Sequence, residues 1–201
     1  MRLHLIRPDV PDRQQGGYVL ALTHLGNLDP FCSSVLVRRQ IRWMARREFF
    51  HYRPCAWLLR RVGAFAVNRQ GVPVSAIRRA ITIAREGEVV GICPEGGRTH
   101  GPGAAVRGGR IKRGVCSVAI RSGVPVVPCV MLGTPQLNAV KPWLPAKRAR
   151  LWVAYGEPLN PPQGKSTREK RDALRDQLSA AYVRLYDELR ERFNLEDAVV
   201  G

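Results

Sequence analysis

Short unbroken apolar runs alternate along this chain with segments whose apolar residues recur every three or four positions. The first kind reads as strands buried on both faces, the second as amphipathic helices. Tyr18–Leu22 is the first such strand. The loop after it leads to Asp29-Pro30, an N-cap and first-turn pair that starts a helix over about 30–39. Further strands are predicted at 41–45 and 64–67. From Pro73 onward, Ala76, Ile77, Ala80, Ile81 and Ala84 keep helical spacing until Gly87 stops them. A strand over 88–93 runs straight into Pro94-Glu95-Gly96-Gly97-Arg98. A helix over about 114–121 then ends before Gly123, ahead of an apolar run at 124–132, and the last strand is predicted at 151–155.

The final segment opens with Ser166-Thr167-Arg168-Glu169, the pattern of a capping box. Leu174, Leu178, Ala181, Leu185, Leu189 and Phe193 follow as one apolar stripe on an otherwise charged helix. The alternation predicts an α/β fold in a single domain, 1–201, with a mixed, mostly parallel sheet flanked by helices. Its motif-bearing core spans about 18–157, and a C-terminal amphipathic helix covers about 166–193. Residues 141–148, rich in Pro and basic side chains, read as an exposed loop.

Charge changes the picture. The chain has 201 residues, and 33 Lys and Arg against 16 Asp and Glu leave a net +17. The excess is not spread evenly: 38–61 holds eight arginines and one acid, and 98–121 holds six basic residues and none. Two basic blocks suit an anionic partner such as a phosphorylated substrate, an anionic membrane face or a nucleic acid. Nucleic acid is disfavoured, because there is no phosphate loop, zinc-finger spacing or aromatic RNA-binding stretch. Five widely spaced cysteines, none in a Cys-x-x-Cys pair, argue against a disulfide framework or a zinc site and suit a reduced compartment. With no apolar leader and no spanning stretch in view, a cytoplasmic location is expected.

The chemistry gathers at strand ends. His24 precedes Asp29 by five residues, a spacing that on a continuous helix would set them about 140° apart. A strand–loop–helix turn can instead fold the carboxylate back onto the imidazole, orienting one ring nitrogen and leaving the other as a general base. Asp29 acting only as a cap is the plain alternative. Glu95, Gly96, Gly97 and Arg98 follow a strand directly, where ligands gather in open α/β sheets. Arg69 repeats the pattern of a strand end followed by a cation. Lys112 stands with Arg113 at the mouth of a helix, where amides favour anions. A serine-hydrolase reading fails for want of a Gly-x-Ser-x-Gly elbow.

Five segments follow one another in a familiar order: His24-Leu25-Gly26-Asn27-Leu28-Asp29, Gly63 through Arg69, Cys93-Pro94-Glu95-Gly96-Gly97-Arg98-Thr99, Ile111-Lys112-Arg113-Gly114, and Val124-Pro125-Val126-Val127-Pro128. They resemble the blocks of the glycerolipid acyltransferases, the lysophosphatidic acid acyltransferase-like group, over most of the chain. Thr23 stands where that family commonly has Asn, and Gly97 where it usually has Thr. The helical N-terminal membrane anchor of many relatives has no counterpart here.

The resemblance implies transfer of an acyl group from acyl-CoA or acyl carrier protein, with no other cofactor and no metal, to a lysophospholipid hydroxyl. The acceptor it favours is 1-acylglycerol-3-phosphate, with another lysolipid or a glycerol phosphate as alternatives. His24 and Asp29 would be catalytic. Arg69, Arg98 and Lys112 would hold acceptor phosphate, and Glu95, Gly96 and Gly97 would organise the site, with amides near the two glycines as candidate oxyanion donors. Such an enzyme must reach a bilayer. Phe49, Phe50 and Trp57, set among arginines, have the composition of an anchor docking peripherally on the anionic inner face of the membrane.

Overall fold

The computed structural model describes residues 2–67, 74–135, 150–163 and 166–195. Within them lie strands β1 (Arg2–Ile6), β2 (Tyr18–Leu22), β3 (Ile41–Arg46), β4 (Phe65–Val67), β5 (Val89–Ile92), β6 (Val126–Leu132) and β7 (Arg150–Tyr155). The helices are α1 (Val10–Arg13), α2 (Asp29–Leu36), α3 (Arg53–Arg61), α4 (Val74–Arg85), α5 (Gly114–Ser122) and α6 (Thr167–Phe193). The strands form one sheet in the order β1-β7-β6-β2-β5-β3-β4. Its five-strand block from β6 to β4 is parallel, β7 runs against β6, and β1 follows β7 in parallel. The predicted architecture is the one found.

The central strands are apolar throughout because both faces are covered. On one face Val19, Ala21, Val90, Ile92, Val126 and Val130 pack under α4, α5 and α6. The other carries Tyr18, Leu20, Leu22, Val127, Cys129, Met131, Val153 and Tyr155. Trp43 on β3 is bound to α2 by an N–H···O bond of 2.8 Å from its indole to the Ser34 hydroxyl. It lies opposite Gly91 in the β3–β5 register, where a Cβ on residue 91 would run into the indole ring. Glycine is required there by close approach.

The capping box forms as predicted, with Ser166 Oγ and the Glu169 carboxylate exchanging backbone bonds. A cap contributes about 1 kcal/mol, whereas each buried leucine of Leu174, Leu178, Leu185 and Leu189 contributes about 1.5–3 kcal/mol. Packing therefore holds α6 in place, and the Tyr182 hydroxyl adds a buried bond of 3.0 Å to the Ala21 carbonyl of β2. At the N-terminal rim of the sheet, the Arg39 guanidinium donates to the carbonyls of Gln14 (2.8 Å), Gly16 (2.6 Å) and Gly87. One side chain thus ties the entries to β2 and β5.

The structure corrects several expectations. The helix after the first loop ends at Leu36, short of 39, because Val37 turns extended and buries against the sheet. Asp29 is the first helical residue and makes no side-chain cap; Leu28 stands at the cap position. Strand β1 has no clear local signal and exists through pairing with β7, where His4 stacks on Trp152 at 5.8 Å. The predicted loop at 141–148 lies outside the described residues.

Cys116, on the inner face of α5, is fully enclosed, and burial pushes its thiol from about 9 up to about 11. Burial also drives the phenols of Tyr18, Tyr155 and Tyr182 upward. Between pH 9 and 11 the folded chain therefore keeps protons that the unfolded chain releases, so stability falls as pH rises through this window. The urea midpoint is expected to decline steadily from pH 9 to 11; a level midpoint would contradict it.

Candidate active site

Strands β2 and β5 are parallel neighbours in the register Tyr18↔Val89 to Ala21↔Ile92. The loops that follow them leave the same rim of the sheet side by side. The chain runs from β2 toward β3 on one flank and from β5 toward β6 on the other, so this rim is a topological switch point. His24 arrives from β2 and the 94–99 turn from β5.

Asp29 is completely buried, and its Oδ2 is the hub of the first loop. It accepts from the backbone N–H groups of Leu25 and Gly26, both at 2.8 Å, and lies 3.1 Å from His24 Nδ1. The loop does fold back onto the imidazole. Because a carboxylate accepts, Nδ1 is the nitrogen that donates to Asp29, and in the neutral ring this makes Nε2 the acceptor. The His24 side chain remains 20% exposed, enough for that nitrogen to meet a substrate.

Glu95, 7% exposed, binds the two loops together. Its Oε2 accepts the His24 backbone N–H at 2.5 Å; its Oε1 accepts the Ala105 N–H at 2.9 Å and the Thr99 hydroxyl. In return the Thr99 N–H donates to the His24 carbonyl at 3.1 Å. Thr99 closes the third of the five segments, but the sequence assigns it no role; its bond to Glu95 emerges only in space. The Lys112 N–H bonds the Pro94 carbonyl at 2.7 Å, and its ammonium lies over Gly96, where φ is +75° and a Cβ would collide with it. Glycine at 96 thus serves both the turn and the cation.

Of the predicted residues, the structure brings together His24, Asp29, Glu95, Gly96, Gly97 and Lys112. Arg98 is exposed on the same turn, and Arg69 lies outside the described residues. The Gly96 amide is taken up by the Cys93 carbonyl at 3.0 Å, which corrects its candidacy as an oxyanion donor and leaves Gly97. Arg113 points elsewhere, 3.1 Å from Asp172 of α6. A side chain at 97 would meet nothing within 4 Å, so Gly97 in place of Thr leaves open space. The Thr23 hydroxyl is turned inward, accepting from the Met131 N–H at 3.4 Å.

Phe49 (51% exposed), Tyr52 (63%) and Trp57 (62%) are open to solvent, while Ala56 and Leu59 on the opposite side of α3 are buried. Phe50, Trp57, Arg53, Arg60 and Arg61 line a shallow depression of about 490 Å³. Among the described residues no helix is long and apolar enough to cross a membrane. Nor does any group of three His, Cys, Asp or Glu among them stand close enough to hold a metal ion.

The sequence profile of the acyltransferase family matches residues 7–132. The chain is similar to the 1-acyl-sn-glycerol-3-phosphate acyltransferase of Bacillus subtilis, 31% identical over 145 residues covering 72% of this chain and 67% of that one. It is also similar to the enzyme of the same name from Streptococcus pneumoniae, 22% identical over 193 residues covering 95% and 69%. In fold it is similar to the crystal structure of the 1-acyl-sn-glycerophosphate acyltransferase from Thermotoga maritima. The TM-score is 0.68 at 21% identity, over 94% of this chain and 72% of that one.

Glu95→Gln tests the bridge between the loops. An amide NH₂ cannot accept, so at least one of the buried N–H donors loses its partner. The expected loss is about 1–3 kcal/mol in urea unfolding, with turnover reduced. A variant as stable and active as the wild type would refute this role.

Proposed function

The chain belongs to the acyltransferase family, and from that premise we propose that it is a 1-acylglycerol-3-phosphate O-acyltransferase, forming phosphatidic acid. The observation that carries the reading is the His24 Nδ1–Asp29 Oδ2 contact of 3.1 Å, with Nε2 left to act as base. His24 Nε2 takes the proton from the acceptor hydroxyl as its oxygen attacks the thioester carbonyl. The C–S bond breaks, and the imidazolium returns the proton to the leaving thiolate. The acceptor is itself the nucleophile, so no acyl-enzyme forms. Buried Asp29 stabilises the transient imidazolium, the third-group role of triad chemistry.

The donor is an acyl thioester, on coenzyme A or on acyl carrier protein. Lys112 over Gly96, with Arg98 on the same turn, supports a phosphate-bearing acceptor beside the base. The Gly97 amide is the remaining candidate for the developing oxyanion.

Lipid substrates also require a docking surface. The turn Arg47–Phe50 leaves the C-terminal end of β3, which runs parallel to β5, so Phe49 emerges on the rim that carries His24. Its aromatics and the arginines of α3 fit an anionic bilayer face, on which the protein would sit peripherally. Each near-surface cation contributes about 1 kcal/mol there.

His24→Ala is expected to lower turnover about 10²–10⁴-fold with the fold intact. Asp29→Asn keeps the shape, since one amide oxygen can take the Oδ2 bonds, yet lacks the charge; its kcat is expected to fall comparably. Either variant at full activity, assayed by mass spectrometry over mixed donors and lysolipids, would refute the base assignment. Phe49→Ser with Trp57→Ser is expected to weaken co-sedimentation with anionic vesicles, as does added salt. Undiminished binding of that folded double variant would rule out this docking face.

A further inference from the structure

The His24 loop leaves β2 between two neighbouring strands, β5 and β6. On the β5 side, hydrogen bonds to Glu95 and Thr99 hold it. On the β6 side it meets Thr134. Leu22 pairs with Cys129 at the end of the β2–β6 ladder, so the two strands deliver Gly26 and Thr134 to the same place.

A Cβ on residue 26 would lie 2.5 Å from Thr134 Oγ1, 2.6 Å from its Cβ and 2.9 Å from its backbone carbonyl carbon. Gly26 has no positive φ, so close approach alone demands glycine there. Thr134 is completely buried, and its hydroxyl has no hydrogen-bond partner within the protein. Enclosed in this way, it touches no substrate, and what it contributes is shape. Its own place is fixed from behind. A Cβ on the preceding residue, Gly133, would collide with the Arg150 carbonyl at the start of β7 and press on the Trp152 ring.

Gly26 is in turn bonded to Asp29 twice. Its N–H donates to Oδ2 at 2.8 Å, and its carbonyl accepts the Asp29 N–H at 3.3 Å. A line of contact thus runs from β7 through Gly133, Thr134 and Gly26 to the carboxylate that orients His24.

We propose that Thr134 is a positioning residue, a wedge that keeps the Gly26 N–H on Asp29 Oδ2 and so keeps the carboxylate on His24 Nδ1. This inference rests on the base assignment for His24.

The test uses the full chain with Gly26→Ala, Thr134→Gly, the double variant and the conservative Thr134→Val. Activity is measured with 1-acylglycerol-3-phosphate and either an acyl-CoA or an acyl carrier protein thioester, beside thermal unfolding. An alanine at 26 must displace the loop by about 1 Å to reach ordinary contact, and kcat is expected to fall about 10²-fold with KM within twofold. Thr134→Gly, which frees the loop, is expected to lower kcat about tenfold. The double variant is expected to stand only about tenfold below wild type, because removing the wedge makes room for the new methyl. Thr134→Val keeps the outline, so kcat should stay within twofold and the melting temperature should not fall, since its hydroxyl has no bond to lose. Losses that add to about a thousandfold in the double variant overturn the proposal. So does a folded Thr134→Gly that loses melting temperature but keeps wild-type kcat, which also decides the matter if Gly26→Ala does not fold. A Thr134→Val as impaired as Thr134→Gly overturns it too, since the hydroxyl and not the shape would then be at work. A fully active His24→Ala would instead refute the base assignment, a separate result.

Discussion

The parallel pairing of β2 with β5 is the constraint on which the site depends. Two strands far apart in the chain must lie in register, because only then do the His24 loop and the Glu95 turn leave the same rim at hydrogen-bonding distance. The pairing is enforced from below by Arg39, which reaches the entries of both strands, and from above by Glu95 and Thr99, which lace their exits. Parallel strands need cover on both faces, and this explains why the core is so apolar and why the polar groups concentrate at the rim.

At that rim, two buried carboxylates do different work. Asp29 accepts from an imidazole, so its charge is coupled to a group that gains and loses a proton. Glu95 accepts from two backbone amides and a hydroxyl, so its charge is spent on holding loops. Both carboxylates lie in the interior, and their neighbours divide the roles.

Much of this was legible in the sequence because its signals are local. The apolar runs of β2, β5, β6 and β7, the spacing of α4 and the capping box of α6 follow from period and punctuation. So did the approach of Asp29 to His24, given a strand–loop–helix turn. Other features depend on distant pairing and leave no local trace. β1 is a strand because β7 is there to pair with it, and the Gly96 amide is consumed by a carbonyl that periodicity cannot locate. Which apolar side chains of α3 meet solvent is likewise settled only in space, where Leu59 turns inward and Trp57 outward on one helix.

The helix that completes the core, α6, follows every described strand of the sheet along the chain. On the ribosome, every described strand of the sheet emerges before the leucines that cover β6 and β7 exist. The nascent chain therefore passes through an interval in which a finished set of reactive side chains sits on an uncovered apolar face. Chaperone demand should peak within that interval and end when residues 174–189 dock.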